Sequence, residues 1–371
     1  MDFGAAISGE FAAASYGESA VGGNTILAPW LAFPINDISR FYLSAGLNMD
    51  FDEGAVFIPE LFALEYSVSP IPLLEVRAGR IGWQDVTGFT AKGFFDGAEA
   101  RFNLGMVDFG AAVFYTGLLY KGTANINATK GDPKDYHAKL DWKEFAKTYS
   151  APRRLLASLH WQLPGLPYMR GRLFASAFTQ VDLSDAKDRN TSFYFLARHA
   201  LGYKRFDLDV AGAVSFGLLG TGFAFTAEGG WQTGLLNDRL SVGLRWASGE
   251  KGAIASYFPV TMEVQGVAIR PLFAGIMVGR VKYEARIFET LSAHAGARYF
   301  FRTDSVTFKD VHIENDKYSL GLEFDIGAIW APFSDLSFSL VGGVFLPGAG
   351  GAMKSDSPAR FSITVGSIFS F

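Results

Sequence analysis

The sequence contains no cysteine among its 371 residues, which excludes a disulfide framework and metal sites built from thiolates. It has no run of about 18 apolar residues, so a helical membrane span is not expected. The net charge of −4 lacks the basic excess typical of nucleic-acid binding, and no nucleic-acid partner is predicted. The H-E-x-x-H, G-x-S-x-G and P-loop motifs are also missing. We therefore predict no catalytic residue, no metal, no cofactor and no enzyme activity.

Hydrophobic residues nonetheless make up 49% of the chain, and charges interrupt them at short intervals. Aromatic residues reach 15%, and glycine occurs 42 times. This composition favours many strands that each have one apolar face. A soluble β-sandwich of this length would need several domains, yet no linker is visible. We predict an all-β chain in which residues 1–371 form a single domain.

The last stretch, residues 359–371, has the clearest period of two. Phe361, Ile363 and Val365 share one face, and the positions between them are small or polar. A strand with one apolar face and a terminal aromatic residue, Phe371, resembles the closing strand of a bacterial outer-membrane β-barrel. In that family this strand is also the signal for barrel assembly. The resemblance implies outer-membrane lipid and the barrel-assembly machinery as partners.

The same period recurs along the chain in runs of about 10 to 14 residues, long enough for tilted membrane strands. Arg40–Phe51 and Leu291–Arg302 are clear examples. Long and short connections alternate between the runs. We predict a single antiparallel up-and-down barrel of about 18 strands, with about 16 as the alternative, because backbone groups in lipid need partners within a closed sheet.

The start of the chain lacks an export signal. Met1 is followed by Asp2, Phe3 and Gly4, with neither a basic nor an apolar leader segment. We expect that a signal peptide has been removed and that the protein lies in the outer membrane of a Gram-negative bacterium.

Charged residues within the predicted strands fall mostly on the polar face. An arginine facing lipid at mid-membrane would cost about 2–4 kcal/mol, so these side chains are expected to face the lumen. A barrel of this width cannot be filled by side chains of the wall, which predicts a watery interior. The predicted pore-lining residues are Arg40, Arg77, Arg101, Arg172, Arg198, Arg245, Arg280, Lys282, Arg286, Arg298, Arg302, Glu228, Glu284, Glu323 and Asp325.

Two interpretations of these charges remain open. Opposed basic and acidic rows would form a polar track for a hydrophilic solute, and Arg280, Lys282 and Arg286 would face Arg298 and Arg302 if the strand register allows. Such a cluster would favour carboxylates or phosphates. Alternatively, the charges are neighbouring ion pairs that stiffen the wall.

The predicted fifth and sixth strands contain the sequences Leu-Glu-Val-Arg-Ala-Gly-Arg at 74–80 and Asp-Gly-Ala-Glu-Ala-Arg at 96–101. This R-x-G-R strand followed by a D-G-x-x strand resembles a passage in alginate-export and related substrate-specific outer-membrane porins. The resemblance covers about 30 residues and implies a pore with arginines in its wall.

The longest insertion is a Lys-rich loop at about 120–151. It contains Lys121, Lys130, Lys134, Lys139, Lys143 and Lys147. A short helix is predicted at 141–147, beginning near Asp141. The loop either folds inward as a constriction or lies at the surface.

Three functions are compatible with these patterns. The first is passive diffusion of small hydrophilic, anionic solutes through an Arg-lined lumen. The second is transport of hydrophobic molecules, as in the long-chain fatty-acid family, which would require an apolar lumen and an N-terminal hatch. The third is a structural or adhesin barrel with a blocked lumen.

Overall fold

A computed structural model of the chain describes residues 1–15, 19–51, 56–129, 132, 140–164, 170–184, 189–218, 220–305 and 317–371. Within these ranges, 18 strands form one antiparallel sheet in which each strand pairs with its neighbours in sequence. The sheet closes where β18 pairs with β1. The predicted all-β barrel and its count of 18 strands are confirmed, and the alternative of 16 is wrong.

The strands have the following bounds: β1 Asp2–Ser15, β2 Ser19–Asn36, β3 Ser39–Asp50, β4 Val56–Ile71, β5 Leu74–Gln84, β6 Lys92–Asn103, β7 Asp108–Tyr115, β8 Arg154–Pro164, β9 Arg170–Asp182, β10 Ser192–Tyr203, β11 Phe206–Gly217, β12 Gly220–Trp231, β13 Asp238–Ala247, β14 Ile276–Phe288, β15 Leu291–Arg302, β16 Ser319–Phe333, β17 Leu336–Leu346 and β18 Arg360–Ser370. Helix α1 spans Lys121–Ala124 and α2 spans Phe145–Tyr149, with 3₁₀ turns at Trp142–Glu144 and Pro347–Ala349.

The two faces of the wall differ in the way that the sequence period predicts. On β16, Phe324 and Ile326 are 50% and 64% exposed, whereas Glu323 and Asp325 are 0% and 2% exposed. Successive side chains of a strand point to opposite sides, so the exposed apolar residues define the outer face. The charged residues between them define the inner face.

The two ends of the barrel differ in their connections. Short turns such as 37–38, 72–73, 289–290 and 334–335 lie at one end, called here the turn end. Longer segments such as 85–91, 116–153, 248–275 and 347–359 lie at the other, called here the loop end. This alternation follows from an up-and-down barrel, because each strand reverses direction.

Predicted and observed strand boundaries agree best where a strand has one apolar and one polar face. For example, β15 has the predicted bounds of Leu291–Arg302. The sequence pattern also predicts a loop at about 248–267 followed by a fourteenth strand from Arg270 to Phe288. The start of that strand is wrong, because β14 begins at Ile276 and residues 270–275 belong to the β13–β14 loop, which extends from 248 to 275. Apolar residues in that segment are buried like those of a strand, and Phe273 is fully buried.

The β13–β14 loop supplies side chains to an apolar cluster at the loop end of the barrel. Phe273 packs edge-on against Phe89 of the β5–β6 loop, with ring centroids 5.2 Å apart. Tyr257 of the β13–β14 loop lies 6.4 Å from Tyr194 of β10. Trp83 of β5, on the same cluster, stacks on a phenylalanine of β9. The loops therefore pack onto the inner face, where they occupy part of the lumen.

The β7–β8 loop, predicted as the Lys-rich insertion, makes its own contacts with the β13–β14 loop. Ile126 is fully buried, and the Asn127 amide nitrogens donate to the carbonyls of Val260 and Pro259 at 2.9 and 2.6 Å. The predicted short helix is present as the 3₁₀ turn and α2, and the Asp141 side chain accepts from the backbone N–H of Lys143. These contacts favour the inward arrangement. Lys130, Lys134 and Lys139 lie outside the described residues.

Candidate channel lining

The inner face carries charged side chains on most strands from β4 to β16, and the strand register brings several predicted residues together. Arg280 of β14 lies directly opposite Arg298 of β15, as the sequence analysis required for a basic cluster. Like charges in opposed positions repel each other. Each arginine is neutralised by an acid: Arg280 donates to Glu228, and Arg298 lies 2.8 Å from Glu323 and 2.9 Å from Asp325.

Arg239 is the centre of the largest network of charges on this side of the barrel. Its guanidinium donates to Asp207 at 2.5 Å and to Glu228 at 2.9 Å, and lies 3.8 Å from Glu284. Lys282 donates to Glu284 at 2.7 Å. Arg239 thus connects acids on β11, β12 and β14. It was not among the predicted residues, although it shares the period-two face of Arg245.

Two further arginines on this wall form bidentate pairs. Arg198 on β10 donates to both carboxylate oxygens of Asp209 at 2.5 and 3.0 Å. Arg245 on β13 donates to both oxygens of Glu263 at 2.8 and 2.7 Å, and its guanidinium lies 4.6 Å from the Phe273 ring. Glu263 belongs to the β13–β14 loop, so Arg245 links that loop to the wall. Bidentate arginine–carboxylate pairs have a fixed geometry as well as a favourable charge.

A second group of charges occupies the opposite wall. Glu99 of β6 accepts from Arg77 of β5 at 2.5 Å and lies 3.0 Å from the Nε of Arg101. The Nε2 of His160 lies 3.7 Å from the same carboxylate. His160 reaches across β7 because Gly110 leaves room beneath its ring. Glu99 is thereby buried among positive groups, as a buried carboxylate requires.

Glu323 is fully buried and anchors the β13–β14 loop to the wall. Its two oxygens accept from the backbone N–H groups of Val267, Ala268 and Ile269 at 2.9, 2.9 and 3.0 Å. Successive N–H groups that converge on one anion form a favourable site for negative charge. Glu323 therefore lies on the inner face of the wall, where the loop covers it.

The remaining predicted residues lie near the ends of their strands. Arg40, Arg172 and Arg286 are exposed near the turn end. Arg302 lies at the loop end, where it is 4% exposed and donates to the carbonyl of Lys317 at 2.8 Å. The predicted charges therefore form three groups: paired residues along the wall, exposed residues near the turn end, and the buried Arg302 at the loop end.

Arg154, another residue absent from the prediction, fixes the loop end. It is fully buried at the start of β8 and lies 2.8 Å from Asp182. It also pairs with Asp132 of the β7–β8 loop. Asp182 accepts from the backbone N–H groups of Ser184 and Asn190 at 2.9 and 3.0 Å. The sequence gives no sign of these partners, because Asp132 and Asp182 are 22 and 28 residues from Arg154.

The β5–β6 loop is held by a buried carboxylate. Asp85 accepts from the backbone N–H groups of Thr87, Thr90 and Ala91 at 2.7, 3.0 and 2.7 Å, and burial raises its pKa. The Thr90 hydroxyl lies 2.7 Å from the hydroxyl of Tyr257, and burial raises the Tyr257 pKa well above its ordinary value. Asp85 and Tyr257 thus join the β5–β6 and β13–β14 loops.

The paired arginines line a cavity of about 450 Å³ beneath these loops. Five arginines and four carboxylates surround it: Arg198, Arg239, Arg245, Arg280 and Arg298 with Asp207, Asp209, Glu228 and Glu263. The formal charge of this lining is therefore +1 (five minus four). A polar cavity of this size is suited to a small hydrophilic molecule.

The part of the chain that the structure describes has no helix long and apolar enough to cross a membrane. The same residues include no group of three or more His, Asp or Glu side chains that could hold a metal ion.

The fold resembles those of outer-membrane porins of Pseudomonas aeruginosa. OccK11 (OpdR) shares 10% identity at a TM-score of 0.64, with 100% of this chain and 95% of that chain covered. OccK2 (OpdF) in complex with glucuronate shares 11% identity at a TM-score of 0.63, covering 100% and 98%. No family model matches the chain, and no curated protein matches it significantly. At these identities the likeness shows the fold, and the predicted porin-like barrel is confirmed at that level.

Proposed function

We propose that the protein is an outer-membrane channel for passive diffusion of small hydrophilic solutes, with a preference for anions. The observation that carries this proposal is a closed barrel with an apolar outer face and ion-paired charges on its inner face. Such a wall matches lipid outside and water inside. Its proposed partners are outer-membrane lipid, the solute and, through the strand that ends at Phe371, the barrel-assembly machinery.

The preference for anions is supported by the five arginines that line the 450 Å³ cavity, because guanidinium groups suit a carboxylate solute. The exposed Arg40, Arg172 and Arg286 add positive charge to the inner face near the turn end. OccK2, whose fold is similar, has been crystallised with glucuronate, a carboxylate. Transport of hydrophobic molecules is less well supported, because charged pairs rather than apolar side chains surround the cavity.

Planar-bilayer recording of the refolded protein tests the proposal. We expect stable conductance and a reversal potential that indicates anion preference under a KCl gradient. Replacing Glu228 with Gln would raise the formal charge of the cavity lining from +1 to +2 and should shift the reversal potential further toward anions. Asp335→Asn is the matched control, because it removes the same charge from the β16–β17 turn.

Two outcomes would contradict the proposal. A folded barrel that never conducts would refute the open channel. Stable conductance with cation preference, unchanged by Glu228→Gln, would refute the role of the arginine-rich cavity in selectivity.

A further inference from the structure

A tryptophan and a tyrosine lie side by side on the inner face, away from the network of charges centred on Arg239. Trp30 of β2 and Tyr42 of β3 have ring centroids 6.4 Å apart and planes inclined by 26°. At this separation the rings are neighbours, and their planes are nearly parallel. Both side chains are partly exposed, and neither belongs to the buried apolar cluster.

The register places both rings on the inside of the barrel. Trp30 lies opposite Gly4 of β1, and the neighbouring pair on the other face, Phe3 and Leu31, includes a phenylalanine that is 79% exposed. Aromatic residues of the membrane girdle occupy the outer face. Trp30 therefore does not serve as a girdle residue.

The wall is shaped to hold the indole flat. A Cβ atom at Gly4 would lie 2.8 Å from Cζ2 and 2.9 Å from Cε2 of Trp30, so the ring lies against the glycine backbone. With one side against the wall, the opposite side of the indole is directed toward the lumen. Tyr42 continues this surface onto the next strand.

Hydrogen-bonding groups flank the two rings. Glu65 of β4 lies directly opposite Tyr42, and its side chain remains 21% exposed. Arg77 lies 3.8 Å from Glu65 and is 17% exposed. On the adjacent strands, Gly79 and Gly97 continue the same row, so no side chain from those two positions covers Glu65.

We propose that Trp30 and Tyr42 form a binding platform for the ring of a pyranose sugar within the lumen. The C–H groups on one side of a pyranose ring match the apolar face of an aromatic ring, and its hydroxyl groups can donate to an adjacent carboxylate. Trp30 and Tyr42 supply the apolar face, and Glu65 supplies the acceptor. This inference rests on the proposed function, because the sugar must enter the lumen.

Glucuronate and gluconate are suitable probes, because both are six-carbon carboxylates with one negative charge and only glucuronate forms a pyranose ring. We expect glucuronate to reduce the KCl current of the wild-type channel at a concentration about two- to tenfold lower than gluconate, the range for one aromatic stacking contact. Trp30→Leu should remove this difference. Trp330→Leu, which changes an outward tryptophan that is 50% exposed, should retain it.

Heat-modifiable migration on gels would establish that both variants are folded, and Tyr42→Leu provides a second test of the platform. Equal effects of glucuronate and gluconate on a conducting wild-type channel would overturn the platform and leave the proposed channel intact. A persistent difference in both Trp30→Leu and Tyr42→Leu would also overturn it. A folded wild-type barrel without KCl conductance would refute the channel itself. Tryptophan fluorescence would then test the platform: a change on addition of glucuronate that is lost in Trp30→Leu would support it, and no change in the wild type would overturn it.

Discussion

The anchor between Glu323 and the β13–β14 loop predicts that one neutral substitution will release the loop. Glu323→Gln keeps the shape of the side chain but replaces one acceptor oxygen with an NH₂ group. In the wild type, the N–H groups of Ala268 and Ile269 share one carboxylate oxygen, and the oxygen that remains in the variant can still accept both hydrogen bonds. The N–H of Val267 and the guanidinium of Arg298 share the other oxygen, and in the variant they would face the NH₂ group instead.

The cost of releasing these donors can be estimated from their burial. Each buried donor left without an acceptor costs about 1–3 kcal/mol, and this cost applies to Val267, because Arg298 keeps Asp325 at 2.9 Å. Every 1.4 kcal/mol corresponds to a tenfold change in an equilibrium constant, so the released state of the loop should become at least about fivefold more populated.

Limited trypsin digestion and single-channel recording measure this change independently. In Glu323→Gln, we expect faster cleavage after Lys251 of the loop, together with larger or more variable conductance. The control is Asp325→Asn, on the same strand as Glu323. It weakens the pair with Arg298 of β15 but leaves the loop contacts of Glu323 in place. If both variants were cleaved at the wild-type rate, Glu323 would not hold the loop.

Two further perturbations test other contacts at the loop end. Arg154→Met should destabilise the folded barrel by about 3–5 kcal/mol, because it leaves Asp132 and Asp182 without their buried partner. Urea unfolding in lipid vesicles measures this change, and an unchanged unfolding midpoint would contradict it. Burial, together with the Asp50 and Glu60 carboxylates, raises the pKa of Tyr120 from 10.0 to about 12. Its stabilising contribution should therefore be complete below pH 10 and be lost as the pH rises through about 12. Difference absorption at 295 nm between wild type and Tyr120→Phe measures this pKa, and titration near 10 would refute the assigned environment.

The wall of the barrel could be predicted from sequence because its physics is local to each strand. Lipid on one side and a polar interior on the other impose a period of two, which fixes the face of every residue within a strand. Leu291–Arg302 shows this period except at Phe300, where the register with β16 shifts, and its predicted bounds are those of β15. Arg280, Arg298 and Asp325 were assigned to the polar face by the same argument.

The partners of these charges could not be predicted, because sequence alone does not determine the register between strands. Arg280 and Arg298 were predicted as neighbours in a basic cluster, but each is paired with an acid from another strand. The structure thus favours the interpretation as neighbouring ion pairs along the wall. Arg239 was missed because it directly follows Asn237 and Asp238, which are typical turn residues. It nonetheless lies on the same face of β13 as Arg245.

The inward loops were the other feature beyond sequence analysis. A segment buried inside a lumen is apolar for the same reason as a buried strand, so residues 270–275 appeared to continue β14. Pro271 was a signal against that assignment, because proline is rare within paired strands. The depth of the β13–β14 loop depends on contacts such as Arg245 with Glu263, which join distant parts of the chain.

Glycines on the inner face connect these features. Gly110 lies beneath His160, Gly327 beneath His294 and Gly4 beneath Trp30, and a Cβ at each position would meet the ring at less than 3 Å. At Gly343, a Cβ would lie 2.9 Å from a side-chain atom of Val267 in the β13–β14 loop. The high glycine content therefore reflects the interior as well as the strands themselves. At these four positions, a glycine on the inner face marks a place where a side chain or a loop lies across the wall, and only the structure shows which one.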